Sequence, residues 1–348
     1  MKLLKNLLYG VRLVDVQGST NLAVESVTSD SRKVRPDSLF VAVRGTHSDG
    51  HSYLPQAIAA GAKAIVVEEV PADAAPGVTW ITVASSSEAY ARIACSWFDQ
   101  PSQGMTVVGV TGTNGKTTTA TLLYHMLMHR GVKTGLISTV KVCVNSAEEP
   151  ATHTTPDAWV LQGHLARMRD AGCKVVFMEV SSHGLVQHRV TGLKFAGAVF
   201  TNISRDHLDY HETMDSYFEA KALLFEALAV QKGKKGRAVV NSDDRFGQRL
   251  IDRISKKIKT VTFGQNVHAE FRASNIRQDL YGTRFALEAR GKSYLVRTPL
   301  IGLFNVYNVL AALAASMTCG VELRRAIDAI ADAPQVPGRL ERVPSRRN

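Results

Sequence analysis

Apolar residues along this chain fall in short blocks separated by polar, glycine-bearing breaks. In the first hundred residues Asp37–Arg44, Ala64–Val67 and Trp80–Val83 each hold such a block and read as strands. Tyr53–Ala60 is helical in composition and stops at Gly61, and Ser87–Phe98 reads as a helix with a serine cap at its start. The polar stretch Asp99–Gly104 predicts a linker. Beyond it, Met105–Val110, Lys133–Ser138, Lys174–Val180, Ala196–Thr201, Arg237–Asn241 and Ile258–Phe263 are rich in strand formers. Helices are predicted from the turn after Val110 to about Arg130, and over Asp157–Ala171, Met214–Ala229, Asn305–Met317 and Leu323–Ala331. Strands alternating with helices predict an α/β fold with a mainly parallel sheet. The pattern changes over Ala269–Thr298, where alternation around Tyr281-Gly282 predicts a small antiparallel edge.

Length and composition narrow this picture. A chain of 348 residues with 45% apolar and 21% charged residues is ordinary globular sequence, long enough for two domains. Cys95, Cys143, Cys173 and Cys319 form no C-x-x-C pair, which argues against a disulfide framework and a cysteine zinc site. No window approaches the ~18 apolar residues of a spanning helix, and Met1–Leu13 lacks the run of a secretory peptide, so a soluble cytoplasmic protein is expected. The net charge is +11, and all of the excess lies beyond residue 100, part of it between Lys232 and Lys259. Nucleic-acid binding is one reading of that excess, but basic and aromatic residues are not interleaved.

The clearest chemistry is Thr111-Gly-Thr-Asn-Gly-Lys-Thr-Thr118, between a predicted strand and a predicted helix. Gly112 and Gly115 let the backbone approach phosphate oxygens, and the helix N-terminus offers free N–H groups. Lys116 can reach terminal phosphates, and Thr117 can place a hydroxyl on Mg²⁺. The strict G-x-x-x-x-G-K-[ST] pattern is not met, since Val110 stands at the first glycine position. Glu179 ends an apolar strand, where a parallel sheet opens its ligand crevice. His207 and His211 lie four apart in Ser204–His211, without the glutamate of a zinc protease. His125 and His129 read as one helix face, and Lys221 alone reads as a solvated helix residue.

The spelling Gly-Thr-Asn-Gly-Lys-Thr-Thr resembles the ATP loop of the Mur ligase and folylpolyglutamate synthetase superfamily. Glu-Val-Ser-Ser-His-Gly-Leu (179–185), Ser-Arg-Asp-His-Leu-Asp-Tyr-His (204–211) and the helix with Lys221 resemble the MurE branch. The resemblance implies that Gly112, Thr113, Asn114, Gly115, Lys116, Thr117 and Thr118 hold ATP, with Asn305 and Asn308 on its other side. It implies that Thr117, Glu179, His207 and a carbamylated Lys221 hold Mg²⁺, and that Lys116, Lys221, His207 and Glu179 serve catalysis. Thr28–Arg32, Asp37–Ala42 and Gly45–Gly50 resemble the family's UDP-binding domain, with Ser31, Thr46, His47 and Ser48 facing the uridine diphosphate end. Thr154, Thr155, Ser181, Gln187 and Arg189 match positions that meet the muramoyl peptide. His153 departs from the asparagine of some members.

The implied activity is ATP-dependent amide formation. UDP-N-acetylmuramoyl-L-alanyl-D-glutamate would be activated as an acyl phosphate and joined to diaminopimelate or lysine in peptidoglycan precursor synthesis. The expected partners are that nucleotide sugar and an amino acid, with no nucleic acid and no membrane, in a monomer. The expected domains are 1–100 for the UDP sugar, 101–336 for ATP, and 337–348 as the start of a linker. The resemblance further implies a third, Rossmann-like domain beyond Asn348 that selects the amino acid, so this chain alone is expected to be inactive. Part of the basic excess would then suit anionic ligands, and part would be what an acidic third domain leaves behind. Another Mur-type ligase such as MurF, a folylpolyglutamate synthetase, or a non-catalytic binding protein that kept the fold are the alternatives.

Overall fold

The computed structural model describes residues 1–45, 48–231, 236–336 and 338–339. The candidate residues Thr46 and His47, and nearly all of the expected linker at 337–348, lie outside the described residues. The chain divides into two compact units. The first comprises Met1–Pro101 with Pro156–Ala166 and Val186–Leu193, and the second comprises Ser102–Thr155, Arg167–Leu185 and Lys194–Asn348.

The first unit is built on a five-stranded sheet in the order Leu13–Gln17, Thr79–Val83, Ala62–Val67, Ser38–Val41, Ser26–Thr28. Its strands run parallel except Leu13–Gln17, which pairs antiparallel with Thr79–Val83. Helix Ser86–Trp97 is capped by Ser85, whose hydroxyl accepts the Glu88 N–H. The distant segment Pro156–Ala166 joins this unit through side-chain packing. Trp159 stacks on Tyr90 and meets Trp97 and Phe98, and the Gln162 amide donates to Cys95 Sγ at 3.0 Å.

The second unit carries an eleven-stranded sheet. Thr134–Ile137, Val175–Glu179, Thr106–Thr111, Phe195–Phe200, Arg237–Asn241 and Lys259–Gly264 lie side by side and parallel. Every residue of Val175–Glu179 is buried, as a central parallel strand requires. Helices Lys116–Met128 and Leu303–Ser316 pack on each other over one face. The second helix is apolar nearly all round because it is buried nearly all round. The expected antiparallel edge is present as Phe271–Asp279, Gly282–Ala289 and Lys292–Thr298. A second antiparallel edge, Lys141–Val144 with Ala147–Pro150, closes the other end of the sheet.

His125, on the helix that follows the glycine-rich loop, has a buried Nε2 without a partner among the described residues. Burial and then the neighbouring His129 hold its pKa below the ordinary imidazole value. The folded chain therefore takes up this proton less readily than the unfolded chain. Stability is lost as pH falls below about 6.5 toward the depressed folded value. His125→Leu is expected to shrink the drop in unfolding free energy between about pH 7 and pH 5.5, measured by urea titration at both.

Candidate active site

Thr106–Thr111 ends at the glycine-rich loop, and the sheet register sets its neighbours. Glu179 stands opposite Val110, and Phe200 opposite Thr111. Gly112 has φ of +143°, and a Cβ there would lie 1.9 Å from Thr201 Oγ1, so only glycine fits. Gly115 begins the helix at φ +87°, and its missing Cβ would lie 2.2 Å from Asn308 Oδ1. The Asn114 N–H donates to Asn202 Oδ1 at 3.0 Å, and Thr201 Oγ1 donates to Asn114 O at 2.6 Å. Strand end and helix Leu303–Ser316 thus clamp the loop from two sides.

Two lysines converge on one atom of that loop. Lys116 Nζ donates to Gly112 O at 2.9 Å and Thr113 O at 2.7 Å, and Lys221 Nζ donates to the same Gly112 O at 2.9 Å. Lys221 is only 1% exposed, which corrects the expectation of a solvated side chain. Burial, then the charge of Lys116, pushes its pKa well down against the pull of Asp206. Lys116 is lowered as well, by burial above all, with Glu179 and Asp206 opposing. Neither lysine has an ion pair among the described residues, an arrangement that costs free energy until an anion arrives.

Glu179 is 1% exposed and accepts from Thr139 N at 2.7 Å and Thr139 Oγ1 at 3.1 Å. It has no basic partner in ion-pair range among the described residues. Thr117 and Thr118 are buried in the first helical turn. His207 is half-exposed with φ of +51°, a strained value for a residue with a Cβ, and its Nε2 lies 3.6 Å from Asp206. His183 and Tyr210 complete a ring cluster with His207 and His211. His211 is buried, its Nε2 lies 2.8 Å from Ser182 Oγ, and burial, then His183, pushes its pKa down to about 4. Among the described residues no three acids, histidines or cysteines form a metal cluster unaided.

The remaining candidates fall in separate places. Thr155 is 1% exposed, donates to Glu179 O at 3.0 Å and accepts from Ser181 N at 2.9 Å, so its hydroxyl braces the Glu179 strand end. Thr154 Oγ1 lies 3.0 Å from Thr139 Oγ1, and Ser181 Oγ accepts the Gly184 N–H at 3.0 Å. Asn305 Nδ2 donates to Ile301 O, while its Oδ1 accepts from Asn308 Nδ2 at 3.0 Å. In the first unit, Ser31 donates to Gln56 Oε1 at 2.9 Å, and Gln187 Oε1 accepts from Arg189 Nε and Nη2. Ser48 O accepts the Gly45 N–H at 2.9 Å.

Sequence reading missed Thr139, Asp206, Asn202 and the wall of an adjoining cavity of about 650 Å³. Asn114, Gly115 and Asn308 line this cavity together with Asp243, Phe304 and Tyr307. Burial would raise the Asp243 carboxyl, but donors from Gln265 N, Tyr307 Oη and Asn266 outweigh it and hold it below the usual range. Only the fold brings these residues together.

Comparison with known proteins agrees with this geometry. The Mur ligase middle domain profile matches residues 110–316, and that of the Mur ligase family catalytic domain matches residues 23–97. A UDP-N-acetylmuramoyl-L-alanyl-D-glutamate–2,6-diaminopimelate ligase from Cytophaga hutchinsonii is 43% identical over 97% of this chain and 68% of its own length. This chain belongs to the Mur ligase family. A solved structure of a ligase of that same name superposes with a TM-score of 0.83 at 27% identity, covering 96% of this chain and 68% of the other. MurF from Acinetobacter baumannii shares the fold at a TM-score of 0.68.

Gly115→Ala is expected to destabilise the fold by about 1–2 kcal/mol from the left-handed backbone alone, with the Asn308 clash added. Asn308→Ala in that background should relieve the clash and leave the backbone share, a difference that denaturant unfolding of both variants would read.

Proposed function

We propose that this chain provides the nucleotide-sugar and ATP sites of a ligase that joins UDP-N-acetylmuramoyl-L-alanyl-D-glutamate to a diamino acid. The observation that carries the reading is the convergence of Lys116 and Lys221 on Gly112 O beside a helix N-terminus, with no carboxylate paired to either among the described residues. A triphosphate supplies the missing negative charge. Lys116 would leave the loop carbonyls for the terminal phosphates, and Thr113 to Thr118 would donate backbone N–H groups. The cavity beside Asn308, Asp243 and Tyr307 is large enough for a nucleoside. The substrate carboxylate attacks the γ-phosphorus of ATP, ADP leaves, and an acyl phosphate forms. The incoming amine then displaces phosphate and an amide remains. The chain's part in this is positioning and charge stabilisation.

Mg²⁺ suits the residues present. Glu179 is a buried carboxylate without a basic partner among the described residues, Thr117 adds a hydroxyl, and His207 stands nearby in sequence to Asp206 and the loop partner Ser204. Burial pushes Lys221 toward its unprotonated amine, the form that reacts with CO₂: the amine lone pair forms the N–C bond and a proton leaves. Lys221 would thereby become a carbamate and join Glu179, Thr117 and His207 as donors, mostly hard oxygens. The ion would supply neutralisation of phosphate and carboxylate charge. Ser31, Thr46, His47 and Ser48 are proposed for the uridine diphosphate. Thr154, Ser181, Gln187 and Arg189 are proposed for the peptide, with Thr155 bracing Ser181. The relatives' names favour 2,6-diaminopimelate over lysine as the added amino acid. No described helix is long and apolar enough to cross a membrane, and consumption of ATP fits the cytoplasm.

Lys116→Ala should weaken binding of a fluorescent ATP analogue by about 10- to 100-fold, the scale of hydrogen bonds to a charged group. Affinity equal to that of the unsubstituted chain would refute the site. A ¹³C carbamate resonance on Lys221 under labelled bicarbonate, lost in Lys221→Ala, is the companion measurement.

A further inference from the structure

Tyr217 is a buried aromatic with no role in the chemistry above. It lies 1% exposed on helix Met214–Val230, one turn before Lys221, so the two side chains share a helix face. Lys221 Nζ sits 4.3 Å from the centroid of its ring. The phenol oxygen accepts from Thr113 Oγ1 at 3.3 Å, and that same Oγ1 accepts the Ser204 N–H at 3.1 Å. His211 packs against the ring at 5.0 Å, and His207 meets it edge-on at 6.2 Å. One residue therefore touches the buried lysine, the phosphate loop and the histidine segment together.

We propose that Tyr217 is a positioning residue with two separable parts. The ring face seats and shields the Lys221 amine at the Gly112 carbonyl, where no carboxylate among the described residues does so. The hydroxyl holds Thr113, and through it the loop that meets nucleotide. The proposal rests on the reading of this loop as the ATP site. Two features make the parts independent. The ring contact survives loss of the oxygen, and the Thr113 contact needs the oxygen alone.

The test uses the full chain in CO₂-free buffer, so that the Lys221 amine is unmodified. Tyr217→Phe and Tyr217→Met are compared with the unsubstituted chain by binding of a fluorescent ATP analogue and by acetylation of Lys221 with acetic anhydride, mapped by mass spectrometry. Tyr217→Phe should bind the nucleotide about three- to tenfold more weakly, the loss of one hydrogen bond, while Lys221 stays as protected as before. Tyr217→Met should lose both the affinity and the protection, with Lys133 and Lys194 labelling unchanged. A general loss of structure would move both readouts together in Tyr217→Phe as well, and that result overturns the proposal. Tyr217→Phe with unchanged affinity, or with Lys221 exposed, also overturns it. If Tyr217→Met does not fold, the split in Tyr217→Phe decides alone. If the unsubstituted chain binds no nucleotide, the ATP reading fails and this proposal with it. If it binds and Tyr217→Phe matches it, only this proposal fails.

Discussion

The Gly112 carbonyl, shared by two lysine amines, is the interaction on which the rest of the second unit depends. A carbonyl oxygen can accept two donors, so the geometry is chemically complete. It is not electrostatically complete, because two groups of like charge meet in a place that water scarcely reaches. Burial depresses both amines and so softens the repulsion. A site that holds uncompensated positive charge in this way is poised for a polyanion, and the free energy withheld from folding becomes available to binding.

Holding that arrangement places demands on residues far apart in sequence. The loop must keep its curvature, which Gly112 and Gly115 allow and Thr201 and Asn308 enforce. The neighbouring strand must end at the same level, which the pairing of Glu179 with Val110 secures. Glu179 must not fold down onto the lysines and neutralise them. Thr139 takes both of its oxygens, and Thr155 ties the strand end to Ser181. The acid is thereby kept outside ion-pair range of both amines.

The part of this site written locally was legible in the chain. The loop is one contiguous segment whose residue types carry their own chemistry, and Glu179 is marked by ending an apolar run. Lys221 was misread from the residues alone because helix Met214–Val230 shows no polarity gap at that position, and its burial arises from a strand turn 109 residues away. Thr139 and Asp243 have no local signal at all. Among the elements, Leu13–Gln17 escaped notice because an edge strand with little burial shows no apolar block. Helix Arg245–Ile254 escaped because its exposed face is charged, although Asp244 caps it by accepting from Phe246 N and Gly247 N. The hairpin Lys141–Pro150 turns at Asn145, whose left-handed φ of +53° is a turn signal set among polar residues.

Part of the basic stretch between residues 232 and 259 is held in ion pairs. Arg249 pairs with Asp215 and with Glu219 at 3.1 Å, and Arg253 pairs with Glu226 and with Glu219 at 2.6 Å. Phe218 lies under the Arg249 guanidinium at 4.5 Å. Each exposed pair is worth little alone, at most about 1 kcal/mol, but Glu219 joins them into one network. That network fastens helix Arg245–Ile254 along helix Met214–Val230, the same helix that carries Tyr217 and Lys221. Arg249 and Arg253, which lie within the basic stretch between Lys232 and Lys259, therefore help fix the axis of the helix from which the buried amine projects. The seam thereby helps set the helix from which Lys221 reaches Gly112 O, the atom it shares with Lys116.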